Sequence, residues 1–219
     1  MNDITPQAVA PSPRRTQSER SEHMRERLIE AVLECLHSYG YAGTTVSRII
    51  EHAGVSRGAP LHHFATKTDL IEAAARKLIK RIYQRFDLVI QQLDPAKHGL
   101  EDFVFAAWQV ITTQPDSLAF AELLLASQRD PQLAEILQRL WTQIYFSLKA
   151  FTGVHFDPVT EHDNVKQLMV LTQWVLRGMI ADRHLISDPA LIDHYIRLWC
   201  TILAGHIRTK DMAITANQP

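Results

Sequence analysis

Only two cysteines occur in the chain, Cys35 and Cys200, and they stand far apart in sequence. A disulfide framework and a cysteine-rich zinc cluster are thereby excluded, and a reducing compartment suits the chain. Glycine is scarce, at eight of 219 residues, which favours helix over turn-rich β architecture. No apolar run approaches the roughly 20 residues needed to cross a bilayer, and the opening MNDITPQAVAPSPRR lacks the basic-then-apolar order of a signal peptide. The expectation is a soluble, cytoplasmic protein with no membrane association. Nothing resembles HExxH, a glycine-rich phosphate loop, a nucleophile elbow or CxxC, so neither an enzyme nor a metal or cofactor site is expected.

Charge of either sign is also nearly absent in sum, at a net −1, but its distribution is uneven. Residues 1–90 hold 13 Lys/Arg against 10 Asp/Glu, a net +3, and residues 91–219 hold 10 against 14, a net −4. A mildly basic first segment on an acidic remainder suits a nucleic-acid-reading head on a body that must not adhere to nucleic acid. With 46% hydrophobic residues, a chain of this length buries about 70% of its unfolded surface and needs no staple.

Residues 1 to about 19 are rich in Pro, Ser, Thr and Gln and read as a flexible arm; with Arg14, Arg15 and Arg20 it is either a phosphate-tracking basic arm or, the stronger reading, a solvated tail with no role. From Ser21 the pattern is helical, with Met24, Leu28, Ala31, Val32, Cys35, Leu36 and Tyr39 on one face and Gly40 as the stop. The stretch Thr45 to Phe64, TVSRIIEHAGVSRGAPLHHF, organises the rest. Thr45 caps a short helix whose Val46, Ile49, Ile50 and Ala53 make one buried stripe, and Gly54 closes it. Ser56 offers a second cap to a segment carrying Arg57, His62 and His63, too short to be mainly core. Two short helices about a glycine turn are the layout that lays one helix in the DNA major groove. The segment Ala65-Thr66-Lys67-Thr68-Asp69 then offers a hydroxyl cap and an early acid to a long helix running from Leu70 to about Gln92, with Lys67 at its N-terminus, where backbone amides and a cation together suit a phosphate.

Beyond Pro95 the helical stretches fall at about 100–113, 117–128, 131–152, 159–185 and 189–209, with a fraying tail after Lys210. No strand alternation and no repeat is visible. Asp116, Asp130, Asp157 and Asp188 stand at helix starts, where the helix dipole favours a carboxylate. His155, Asp157, His162 and Asp163 cluster without regular ligand spacing and read as solvated polar residues. The last two helices are apolar on more than one face, and Gly178 in the first of them permits close helix approach.

Gly40-Tyr41, Thr44-Thr45, Ile49, Ala53-Gly54-Val55-Ser56, Gly58, His63-Phe64 and Lys67 followed by Asp69-Leu70 together resemble the N-terminal signature of the TetR (tetracycline-repressor-like) family of transcriptional regulators. The resemblance implies an all-α fold: a three-helix helix-turn-helix head (20–68), then a long connecting helix and a C-terminal helical bundle for ligand binding and dimerisation (69–209), with a tail at 210–219. It further implies a ligand-responsive repressor that binds a palindromic double-stranded DNA operator as a homodimer through its last two helices. Thr45, His63 and Lys67 would anchor phosphates, and Ser47, Arg48, Arg57, Gly58 and His62 would lie at or near base edges. A small, largely apolar effector would occupy the body, with Phe103, Trp108, Phe120, Trp141, Tyr145 and Trp174 as candidate lining. Each of these aromatics taken alone reads as ordinary core.

Two departures from the signature stand out. Leu61 replaces a tyrosine that supplies a phosphate hydrogen bond in the family, and Pro60 removes a backbone donor, so the reading segment is expected to start irregularly. The competing reading is a helical small-molecule-binding protein that has lost sequence-specific DNA recognition. An all-helical enzyme is a third, without any visible constellation of acid, base or nucleophile.

Overall fold

The computed structural model describes residues 16–58, 62–94, 97–113 and 115–210, the side chains of 143–154 excepted. Among the described residues eight α-helices dominate: α1 (Gln17–Gly43), α2 (Val46–Ala53), α3 (Lys67–Ile90), α4 (Leu100–Thr113), α5 (Pro115–Ser127), α6 (Pro131–His155), α7 (Val165–Asp182) and α8 (Pro189–Ala204). A short 3₁₀ turn, Arg183–Leu185, follows α7. Two strands, β1 (Phe156–Pro158) and β2 (Ile207–Thr209), pair antiparallel with Phe156 opposite Thr209.

Local chemistry accounts for most of the boundaries. α1 begins at Gln17, earlier than its apolar periodicity suggests, because Thr16 and Glu19 form a reciprocal capping box, the threonine hydroxyl accepting from Glu19 N and the glutamate from Thr16 N. The expected stop at Gly40 is a kink instead, with φ 65° and ψ −178°, after which one further turn reaches Gly43. Thr66 and Asp69 form a second capping box at α3, and Asn164 and Asp188 cap α7 and α8. Residues 159–164 form no helix, so the stretch expected over 159–185 begins only at Val165, and β2 replaces the helix expected to residue 209. Three residues per strand are too few to show alternation, and their pairing joins positions some fifty residues apart.

Two cores result. One joins Leu28, Val32 and Leu36 of α1 and Ile49 of α2 to Leu70, Ala74 and Leu78 of α3, and continues into Phe120 and Leu123 of α5 and Leu133, Ile136 and Leu140 of α6. The other gathers Ile90, Phe103, Trp108, Phe156, Leu176, Ile196, Leu203 and Ile207. Helix α3, about 36 Å long at 1.5 Å per residue, contributes to both.

Candidate DNA-reading head and body cavity

Helix α2 starts where the Thr45 hydroxyl accepts from Arg48 N at 3.3 Å. It ends at Gly54, whose left-handed backbone (φ 58°) lets the Val55 amide reach back to the Ile50 carbonyl at 3.2 Å. Ile49 and Ala53 are buried and Val55 packs against the head core, so the outward edge carries Thr45 and Ser47, both exposed. Arg57 and Gly58 form an exposed turn, and His62 and His63 are helical, His62 exposed and His63 half-buried. Pro60 and Leu61 lie outside the described residues, and with them the irregularity expected there. Lys67 is exposed as the first residue of α3, its ammonium 5.7 Å from the Tyr41 ring centroid.

Arg48 is exposed and also makes contacts within the protein. Its guanidinium donates to the Gly43 carbonyl at 2.7 Å and lies 4.5 Å from the Tyr39 ring centroid, so it ties α2 to the end of α1.

Sequence reasoning missed the two arginines that brace the reading segment. Arg27 donates to the Gly54 carbonyl at 3.1 Å, before that segment. Arg25 donates to the His63 carbonyl at 2.6 Å, after it, and stacks over Phe64 with 4.4 Å to the ring centroid. Both come from α1 and grip backbone, so no residue type at the receiving end marks the contact in sequence.

In the body, α3, α4, α5 and α7 enclose a cavity of about 800 Å³ whose lining is overwhelmingly apolar. Phe103 and Phe120 line it, together with Ile82, Tyr83 and Phe86 of α3. Trp108 is buried in the second core and Trp141 lies beside the cavity, its ring 5.4 Å from the Arg177 guanidinium. Trp174 points the other way: it is 57% exposed on the outer face of α7, because the cavity-facing stripe of that helix is Met169, Thr172, Gln173, Leu176 and Ile180. The Tyr145 side chain lies outside the described residues.

The polar cluster about His155 disperses into separate pairings. The His155 ring packs 5.5 Å from Phe103, and burial lowers its pKa. Asp157 pairs with Lys210, and Asp163 accepts from the Thr160 hydroxyl and faces His206 Nδ1 at 2.8 Å. Among the described residues no group of three His, Cys, Asp or Glu is placed to hold a metal ion. No helix among them is long and apolar enough to cross a membrane.

Comparison with known proteins agrees with this geometry. Residues 28–74, from the start of the buried face of α1 to the first turns of α3, match the family of bacterial regulatory proteins called tetR. The HTH-type transcriptional regulator CymR of Pseudomonas putida is 31% identical over 167 residues, covering 76% of this chain and 82% of that protein. Two solved structures share the fold. A TetR transcriptional regulator from Chloroflexus aurantiacus has a TM-score of 0.67 over 87% of this chain and 99% of its own, at 17% identity. The multidrug binding protein EbrR, complexed with imidazole, has a TM-score of 0.60 over 82% of this chain and 93% of its own, at 21% identity. With the capped α2, the glycine-closed turn and the exposed reading segment all inside the matched region, the chain belongs to the TetR family and is a helix-turn-helix transcriptional regulator, not an enzyme.

Proposed function

We propose that this regulator is an effector-responsive repressor that binds a two-fold-symmetric operator in the bacterial cytoplasm as a homodimer. Residues 20–68 act as the DNA-reading head and 69–209 as the effector-binding and dimerisation body. The observation that carries the reading is the shared use of α3: Leu70, Ala74 and Leu78 lie in the head core, and Ile79, Ile82, Tyr83 and Phe86 wall the cavity. A small apolar molecule in that cavity presses on the same rigid helix that seats the head, so its occupancy alters head position by a contact and not by distance.

Dimerisation is supported by the outer face of α7 and α8. Leu191, Tyr195, Leu198 and Ile202 recur at helical spacing on α8, and all four are about half exposed, beside Leu171 and Trp174 of α7. An apolar stripe of that length on a water-soluble chain calls for a partner surface, and a two-fold axis through it duplicates the head. On DNA, Thr45, His63 and Lys67 hold phosphates while Ser47, Arg48, Arg57, Gly58 and His62 face bases; Arg48 also serves the helix geometry.

The test is a titration of the purified protein against duplex DNA from immediately upstream of its own gene, at several salt concentrations. A sequence-specific shift that weakens steeply as salt rises supports the proposal. Absence of duplex binding even at low salt would assign the chain to ligand binding without DNA recognition.

A further inference from the structure

The cavity is apolar except at one point. Its hydroxyls are already engaged: Thr112 donates to the Trp108 carbonyl at 2.8 Å, Ser117 to Val110 at 3.4 Å, and Thr172 to Leu168 at 2.8 Å while accepting from Trp199 Nε1 at 3.2 Å. What remains is Tyr83 on α3 with Gln173 and Arg177 on α7. Arg177 Nη2 donates to Gln173 Oε1 at 3.4 Å, and both line the cavity together with Tyr83. The guanidinium lies 5.3 Å from the Phe120 ring centroid and 5.4 Å from that of Trp141.

Missing from this arrangement is an anion. Among the described residues no carboxylate acts on Arg177, whose one electrostatic partner is the Tyr83 phenol, and burial lowers the arginine's pKa and raises that of the tyrosine. Guanidinium nonetheless stays charged, and even partly withdrawing an unpaired cation from water is costly. Ring faces offset part of that cost but leave the planar donor fork unmatched. Arg183, at the cavity rim, is exposed and solvent-screened, so it adds positive potential at the mouth without supplying the missing partner.

We infer that the effector of this cavity is an apolar monocarboxylate, its carboxylate held by Arg177 with Gln173 and Tyr83, and its hydrocarbon or aromatic body against the walls of α3, α4 and α5. One half-buried cation neutralises one negative charge, and the apolar lining leaves a second charge, as on a phosphate monoester, uncompensated. The carboxylate so placed touches Tyr83, which stands on the helix shared with the head. The inference rests on the reading of the cavity as an effector site.

The experiment separates the two. N-phenyl-1-naphthylamine, a neutral dye that brightens in apolar sites, is bound to the full-length protein and displaced by ω-phenylalkanoates from phenylacetate to 6-phenylhexanoate, each paired with its own primary amide. At least one acid is expected to compete about tenfold better than its amide, as a charge-assisted hydrogen bond predicts. That ratio falls close to one in Arg177→Met, which still binds the dye, and survives in large part in Arg177→Lys. If the dye binds but no acid outcompetes its amide, or if the preference persists in Arg177→Met, the carboxylate inference is overturned while the cavity reading stands. If the dye does not bind the wild-type protein, the cavity reading fails and the inference falls with it. Should Arg177→Met not fold, the wild-type acid-to-amide ratio decides: near tenfold supports the inference, and near one overturns it.

Discussion

The Tyr41 hydroxyl donates to an Asp130 carboxylate oxygen at 2.7 Å, joining the turn at the end of α1 to the start of α6 across 89 positions of sequence. Around it, the Tyr41 amide faces Glu122 at 3.4 Å, and Thr68 at the head of α3 meets Gln132 at 3.3 Å. These polar contacts add to the core that already joins α1 and α2 to α3, α5 and α6.

Tyr41→Phe keeps the ring and removes the donor, and is expected to lower stability by about 1 kcal/mol, the partly exposed acceptor being screened by water. The pH dependence follows from the shifts. The Tyr41 hydrogen bond, foremost, and the Leu133 amide lower the pKa of Asp130, so its contribution is present above the unfolded carboxylate value and lost as pH falls through the folded one. Burial, then Asp130, raises Tyr41 to about 12, so its contribution is complete below the ordinary phenol value and lost as pH rises through about 12. Urea unfolding of the two proteins should show a constant difference from about pH 5 to pH 9 that shrinks in acid; a difference that grows in acid contradicts this hydrogen bond.

Gly40 sits at φ 65° and ψ −178°, a region that side chains avoid, and a Cβ there would lie 2.9 Å from Glu122 Oε2. Gly40→Ala should cost about 1 to 3 kcal/mol in the denaturant midpoint, mostly from backbone strain. Adding Glu122→Ala relieves the contact but not the strain, so full recovery in the double variant would refute the backbone account.

Arg25 and Arg57 should fail in different ways. Arg25→Leu leaves the His63 carbonyl without its donor and loosens the reading segment, so cognate and nonspecific duplexes weaken together and the fold loses about 1 to 2 kcal/mol. Arg57→Ala should weaken the cognate site by about 1 to 3 kcal/mol with little effect on nonspecific binding. Fluorescence anisotropy with matched and scrambled duplexes distinguishes them, and equal loss on both duplexes for Arg57→Ala would make it a phosphate contact.

Tyr195→Glu together with Leu198→Glu places two charges on the exposed stripe of α8 without entering the buried set Ile192, Ile196, Cys200 and Leu203. Sedimentation velocity is expected to show a wild-type dimer and a variant monomer with unchanged helical circular dichroism. A monomeric wild type would remove the proposed interface.

The sequence alone determined the local grammar of the head. The Thr45 cap, a hydroxyl cap before α3 and the left-handed Gly54 depend on neighbours within one or two turns, and the structure has each of them; of the stripe Val46, Ile49, Ile50 and Ala53 it buries Ile49 and Ala53 and leaves Val46 exposed. The helices of the body were equally legible because Pro, Asp and apolar periodicity mark them, the short strand pair excepted. Only the tertiary structure decided which side each body residue faces. Trp174 turns outward while Phe103 and Phe120 turn into the cavity, though all three read alike as aromatics on amphipathic helices. Arg25, Arg27 and Arg177 look in sequence like surface cations. Their grip on distant carbonyls, or on an apolar cavity, arises where helices meet, and burial and dielectric are properties of that packing and not of the local chain.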